Sequence, residues 1–290
     1  MDQKSFNQFA ILVLALFVGL DCFIWYQAFA SSGSPTPRMS FLDIGQGDSE
    51  LLVLPGNIKI MTDAGPDQSV VKDMEKLFPG DHYIDLAIVT HPQLDHFNGY
   101  NELLKNYNFG AFVINGRNDD PPIPQWFALL DSIKAKHIPM FTLAAADKFV
   151  IGSSTVDLLS PGPDFIQSGE LNDTGFVEHV RTPRFTALLT ADTGFNIEQY
   201  LLDHNADVKS DILKVGHHGS KYSSSDAFLA AVNPVAAVIE VGAKNRYGHP
   251  NKETLGRLAS STHARVFRTD KDGTVTMFAD GGVLKINTEK

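Results

Sequence analysis

The stretch THPQLDHFNGY, Thr90 to Tyr100, decides the fold. It follows LAIV, residues 86–89, a continuous apolar run of the kind that forms a buried strand. Three residues with metal-ligating side chains, His91, Asp95 and His96, then fall within six positions. A loop leaving a strand can aim all three at one edge of a sheet. Two imidazoles and a carboxylate suit zinc, manganese or iron, and they make a hydrolytic site without any thiolate. The chain has one cysteine, Cys22, far from this peptide, so a metal site has to use His, Asp or Glu.

Working outward, other apolar runs end in the same way. LLTADT, residues 188–193, closes a strand with Asp192, a carboxylate able to bridge two metals, and KVGHHGSKYSSS, residues 214–225, sets His217 and His218 in a glycine-flanked turn. Tyr247-Gly248-His249-Pro250 adds another imidazole. Strands are predicted within residues 39–44, 49–55, 57–65, 84–89, 149–159, 176–180, 185–189, 212–215, 236–241, 265–268 and 274–278. Helices are predicted over 70–78, 101–107, 125–136, 226–232 and 252–260. Mixed elements throughout indicate a layered α/β architecture, and two successive strand-rich halves suit two sheets face to face with helices outside.

The N-terminus reads differently. Residues 9–30 are almost wholly apolar, about 22 residues, enough to span a hydrocarbon core of roughly 30 Å. Trp25 and Tyr26 suit an interface belt, whereas Ala28-Phe29-Ala30 has the form of a signal-peptidase site. Residues 1–30 therefore read as a transmembrane anchor, with a cleaved signal or a buried helix as alternatives. The two membrane-directed readings both place the remainder on the extracytoplasmic side. Residues 31–38 are a Gly/Ser/Pro linker, and 39–290 form one domain.

FLDIGQGDS (41–49), MTDAG (61–65), THPQLDHFNG (90–99), LLTAD (188–192), KVGHHGSKYSSS and YGHP, in this order, resemble the metallo-β-lactamase fold. More narrowly they resemble the extracytoplasmic hydrolase-like domain of ComEC-type DNA-uptake proteins, from Met39 to about Phe278. The resemblance implies an αββα sandwich with one or two zinc or manganese ions at a sheet edge. It implies metal ligands His91, Asp95, His96, Asp192 and His217, with Asp43 and Asp48 bordering the site and Asp63 holding the metal loops. His249 would face the substrate as a phosphate contact or proton donor, and His218 and Ser220 would brace their turn. Asp95 would orient the nucleophile, while His249 or Lys221 would offset charge on the leaving oxygen. Gln93 stands where the family has Asp and the wider fold has His, which weakens one metal position. Asn172 and Thr174 stand where the family tends to place Asn and Ser. The resemblance stops short of a multi-helix channel, which makes a separate DNA-uptake channel an expected partner.

Charge bears on the substrate. The chain carries 34 Asp and Glu against 24 Lys and Arg, a net −10, which excludes general DNA coating. Between Lys214 and Lys271, however, nine Lys and Arg face four acids, so this segment is +5 and the rest −15. Lys221, Lys244 and Arg246 offer a positive rim that would guide a single DNA strand without coating it. The expected activity is a metal-dependent phosphodiesterase or nuclease acting on DNA outside the cytoplasm. A degenerate, non-catalytic binding module and a lactamase or lactonase of the same fold are the alternatives.

Overall fold

The computed structural model describes residues 13–23, 25, 36–118, 123–168 and 170–290. Fifteen strands among them build two sheets. In chain order these are β1 (Arg38–Phe41), β2 (Glu50–Leu54), β3 (Ile58–Thr62), β4 (Tyr83–Val89), β5 (Asn108–Ile114), β6 (Met140–Thr142), β7 (Lys148–Ile151), β8 (Ser154–Ser160), β9 (Val177–Arg181), β10 (Thr186–Leu189), β11 (Ile212–Lys214), β12 (Ala236–Ile239), β13 (Arg265–Arg268), β14 (Val275–Asp280) and β15 (Val283–Thr288). The first sheet runs β15-β14-β1-β2-β3-β4-β5-β6 and the second β13-β12-β11-β10-β9-β8-β7.

Strand periodicity explains why the sheets stack. In β2, Leu52 and Leu54 enter the core between the sheets, while Leu51 and Val53 face the opposite way. In β12, Ala236 and Val238 face the same inter-sheet core and Ala237 and Ile239 turn outward. A strand apolar on both faces must be covered on both. Helices α1 (Ser69–Leu77), α2 (Leu94–Leu103) and α3 (Pro124–Ala135) cover the first sheet through Val70, Met74, Phe97, Tyr100, Trp126 and Leu129. Beyond the short α4 (Pro163–Ser168), helices α5 (Phe195–Asp203), α6 (Asp226–Val232) and α7 (Lys252–Ser261) cover the second sheet through Ile197, Leu201, Phe228, Leu229 and Leu258. The result is a two-sheet α/β sandwich with helices on both outer faces.

Several boundaries depart from the sequence reading. The helix expected over 101–107 begins at Leu94, because Gln93 is extended (φ −102°, ψ 145°) and ends the turn after Pro92. Asp95 and His96 thus occupy the first helical turn rather than a loop, and Asp95 sits where the helix dipole favours negative charge. The single strand expected over 149–159 is the hairpin β7–β8 turning at Gly152 (φ 58°). The sequence pattern predicts no element where β5, β6, β15, α4 and α5 form. Residues 13–23 are helical and mostly exposed. Among the described residues no helix is long and apolar enough to cross a membrane. The remainder of the segment read as an anchor, residues 1–12, 24 and 26–30, lies outside the described residues, as does most of the linker.

Candidate metal centre

The site gathers at one end of the sandwich, where β4, β10 and β11 finish. His91 follows β4 and is fully buried. Its Nδ1 lies 2.9 Å from the Thr90 hydroxyl, which donates to Asp63 Oδ2 at 2.6 Å. The hydroxyl oxygen therefore accepts from Nδ1–H, leaving Nε2 bare. His96 is fixed in the same sense, its Nδ1 donating to Asp63 Oδ2 at 2.7 Å. Asp63 also accepts from the Thr90 backbone N–H at 2.9 Å, so one buried carboxylate orients both imidazoles.

The second sheet supplies the facing wall. Ala191 (φ 44°) turns the chain out of β10 and places Asp192 in the interior. Asp192 Oδ2 is 3.5 Å from His96 Nε2 and 3.6 Å from His217 Nε2, and Oδ1 is 3.5 Å from His218 Nε2. Both histidines of the turn after β11 hold left-handed backbone, His217 at φ 49° and His218 at φ 52°. Conformations of that kind cost roughly 1–3 kcal/mol each and persist where surrounding structure imposes them. The outcome separates the two rings. His218, expected to brace the turn, is buried, donates from Nδ1 to the Glu240 carbonyl at 2.9 Å, and directs Nε2 to within 3.6 Å of Asp95 Oδ2. His217, expected as a ligand, is a third exposed at the rim, with Asn172 Nδ2 3.4 Å from its ring nitrogens.

Four buried ligand atoms converge without any hydrogen-bond partner: Nε2 of His91, His96 and His218, and Oδ1 of Asp192. Buried polar atoms are rarely left in this state. Ligand atoms of His91, His96 and Asp192 lie within 4.8 Å of one another, as do those of Asp95, His96 and His218, and those of Asp48, Asp192 and His218. These overlapping groups fit one divalent cation or two that share Asp192. In each of the three imidazoles Nδ1 is tied down by a hydrogen bond, which leaves Nε2 as the atom aimed at the cluster.

Charge among the side chains of the site is self-compensating. Burial, reinforced by positive charge on His96, pushes His91 down to about 3 and keeps it neutral. Burial would also discharge His218, but Asp192 and Asp48 outweigh it and raise the ring to about 10. His96 is likewise raised, against its burial, by Asp192 and Asp63. Burial works against ionised Asp95, yet the neighbouring His218 and His96 rings bring it down to about 2. A divalent cation held here would take the place of the protons on His96 and His218 and supply their positive charge.

Beneath the cluster lies a polar layer that strand parity points inward. Glu50 shares a face with Leu52 and Leu54, Lys214 with Ile212, and Glu240 follows the inward series Ala236 and Val238. Lys214 is fully buried, hydrogen-bonds Asp48 and donates to the Ala191 carbonyl at 2.8 Å. Asp48 lies 3.2 Å from His218 Nδ1. The lysine thereby ties both walls of the site together. Gly47 makes this close approach feasible: a Cβ there would stand 2.3 Å from the Asp95 carbonyl oxygen, which accepts the Asp48 N–H at 3.1 Å.

The remaining expected residues are distributed as follows. Gln93 donates to Asn172 Oδ1, so the weak position expected there is an amide pair linked onward to His217. Asp43 does not border the cluster; it pairs with Lys290 at 2.7 Å, because Leu42 and Ile44 pack into the outer core and set its carboxylate to the surface. Ser220 accepts the Tyr222 N–H at 3.3 Å and braces its turn. His249 lies at the mouth, ring centroid 5.8 Å from that of His217. Lys221 stands 4.9 Å over the Tyr222 ring, outside the cluster.

The chain belongs to the metallo-beta-lactamase superfamily, whose model matches residues 43–242. Within it, distant homologues are competence proteins of the ComEC type. ComE operon protein 3 of Bacillus subtilis is 29% identical over 86% of this chain and 33% of its own length. Competence protein ComA of Neisseria gonorrhoeae is 27% identical over 84% of this chain and 32% of its own. The chain thus spans about a third of these relatives. Among solved structures, the metallo-beta-lactamase fold protein YhfI of Bacillus subtilis superposes with TM-score 0.52 at 11% identity, covering 80% of this chain and 96% of that one. CmlA, a diiron beta-hydroxylase of Streptomyces venezuelae, gives 0.54 at 12%, over 84% and 54%. These two likenesses bear on the fold alone.

Proposed function

We propose that the chain is a metal-dependent phosphodiesterase that cleaves DNA outside the cytoplasm, in the context of DNA uptake. The observation that carries the hydrolase reading is that four buried ligand atoms without a hydrogen-bond partner belong to overlapping triads that share His96, His218 and Asp192. A divalent cation, zinc or manganese, would supply Lewis acidity there when bound. His91, His96, His218 and Asp192 would hold it, with Asp95 as a further ligand. Asp95 is the member of this set whose carboxylate also lines a groove with Lys244 and Arg246, so it can accept a proton from an attacking water. His249, half-buried beside His217, faces the leaving side of a diester. Its ring is kept neutral first by burial and then by the neighbouring imidazoles.

The phosphodiester preference rests on the basic rim and on the kinship with competence proteins. Lys221, Lys244 and Arg246 are exposed, and none forms an ion pair among the described residues. In this reading residues 1–30 tether the domain 39–290 on the outer side of a membrane, beside a separate channel. The test is metal analysis of the purified full chain, with cleavage of single-stranded DNA assayed in added Mn²⁺. Bound metal and Mn²⁺-dependent cleavage are expected. A chain that binds no metal and cuts no strand is the degenerate binding module instead.

A further inference from the structure

The exposed aromatic residues around the metal centre share a feature that catalysis does not use. Tyr222 is 64% exposed and Tyr247 53% exposed. Each lies beneath a cation: Lys221 Nζ is 4.9 Å from the centroid of Tyr222, and the Arg246 guanidinium carbon is 5.1 Å from that of Tyr247. Neither ring belongs to a hydrophobic core.

Their placement is organised around the site. Tyr222 lines a groove of ≈ 530 Å³ together with Phe195, Asn172, His217 and Asp192. Tyr247 lines a second groove of ≈ 370 Å³ with Leu94, Asp95, Lys244 and Arg246. The carboxylates Asp192 and Asp95, from the centre itself, thus each open into a different groove. Rings also lead inward from Tyr247, which stacks on His249 (centroids 5.8 Å, planes 16° apart), and His249 in turn meets His217 at 5.8 Å. Glu170 and Asp173 line the Tyr222 groove as well, which leaves the Lys221 side of that ring for a polyanion.

We propose that Tyr222 and Tyr247, each with its cation, are base-stacking stations on either side of the metal centre, which select unpaired nucleotides over duplex. This rests on the phosphodiesterase reading of the site. A flat ring beside a cation fits a base joined to a phosphate, since the ring takes the base face and the cation takes the charge. In a duplex those faces are already stacked on neighbouring bases and cannot be offered. Both grooves would then hold one strand, with the scissile phosphate between them.

The experiment measures binding of the full chain, in EDTA to prevent cleavage, to labelled dT12, to a base-free sugar–phosphate strand of the same length, and to a 12-base-pair duplex. dT12 is expected to bind at least about tenfold more tightly than either other probe. Tyr222→Leu and Tyr247→Leu should each weaken dT12 binding at least roughly fivefold, and Tyr247→Trp should retain it. Equal affinity for the base-free strand, or leucine variants that bind dT12 like the parent chain, would overturn the inference. Hydrolysis of bis(p-nitrophenyl) phosphate by the parent chain in Mn²⁺ is measured alongside. Its absence would remove the phosphodiesterase reading without touching the stacking result, so the two failures are separable.

Discussion

The floor beneath the metal centre and the rim around it use the same kinds of charged residue in opposite ways. In the floor, Lys214, Asp48, Glu50 and Glu240 are all buried, as is Glu178 of β9, which accepts from the Thr62 hydroxyl at 3.1 Å. There each charge depends on a named partner, and those without one take up a proton: burial pushes Glu178 up to about 8, and burial with the neighbouring Asp48 does the same to Glu240. In the rim, Lys221, Lys244 and Arg246 are exposed and their charge is shared with water. A low dielectric therefore makes the floor rigid and intolerant of substitution, while the rim is tolerant and salt-dependent.

The contrast is broken most severely at Lys214. Lys214→Met takes the ammonium from buried Asp48 and leaves only the His218 and His96 rings to offset its charge, and is expected to cost about 3–5 kcal/mol by urea denaturation. Lys221→Met at the rim should stay within about 0.5 kcal/mol. A loss at Lys214 as small as that at Lys221 would show that the floor is hydrated. One step closer to the metal, Asp63→Asn removes the acceptor that fixes His91 and His96. Zinc affinity by calorimetry should fall about 10–100-fold.

The floor also sets the response to pH. Glu178 and Glu240 are raised from 4.5 to about 8, and His218 from 6.5 to about 10. A raised folded-state value means stability that is complete below the unfolded value and lost as pH climbs through the folded one. The metal-stripped chain should therefore melt at progressively lower temperature from pH 5 to 8. Glu178→Gln, which mimics the protonated acid, should flatten that slope by up to about 1.4 kcal/mol per pH unit. A melting temperature that rises over this window would contradict the assignment. The smallest effect belongs to the rim: Lys244→Ala should lower the slope of log affinity against log salt for single-stranded DNA by about one, at unchanged melting temperature.

The two regions were not equally legible. The sandwich and the cluster could be read because candidate ligand residues end apolar runs, as His91 and Asp192 do, and strand ends of one sheet share an edge. The floor left a signal that went unused: at period two, Glu50, Lys214 and Glu240 fall on inward positions, and a charged residue there implies a polar layer. The choice between His217 and His218 had no sequence signal, since it depends on two successive left-handed residues and on the Glu240 carbonyl across the sheet. Helix α2 was misplaced because its first turn carries the polar ligand residues that also mark a loop.

We propose that His218, with His91, His96 and Asp192, holds the metal ion. This assignment is tested most directly by zinc binding to the full chain, measured by calorimetry for the parent, His217→Ala and His218→Ala. The account predicts one or two ions bound by the parent, and a loss of affinity in His218→Ala at least about tenfold greater than in His217→Ala. A parent chain that binds no zinc, or a His217→Ala variant that loses as much as His218→Ala, would contradict it.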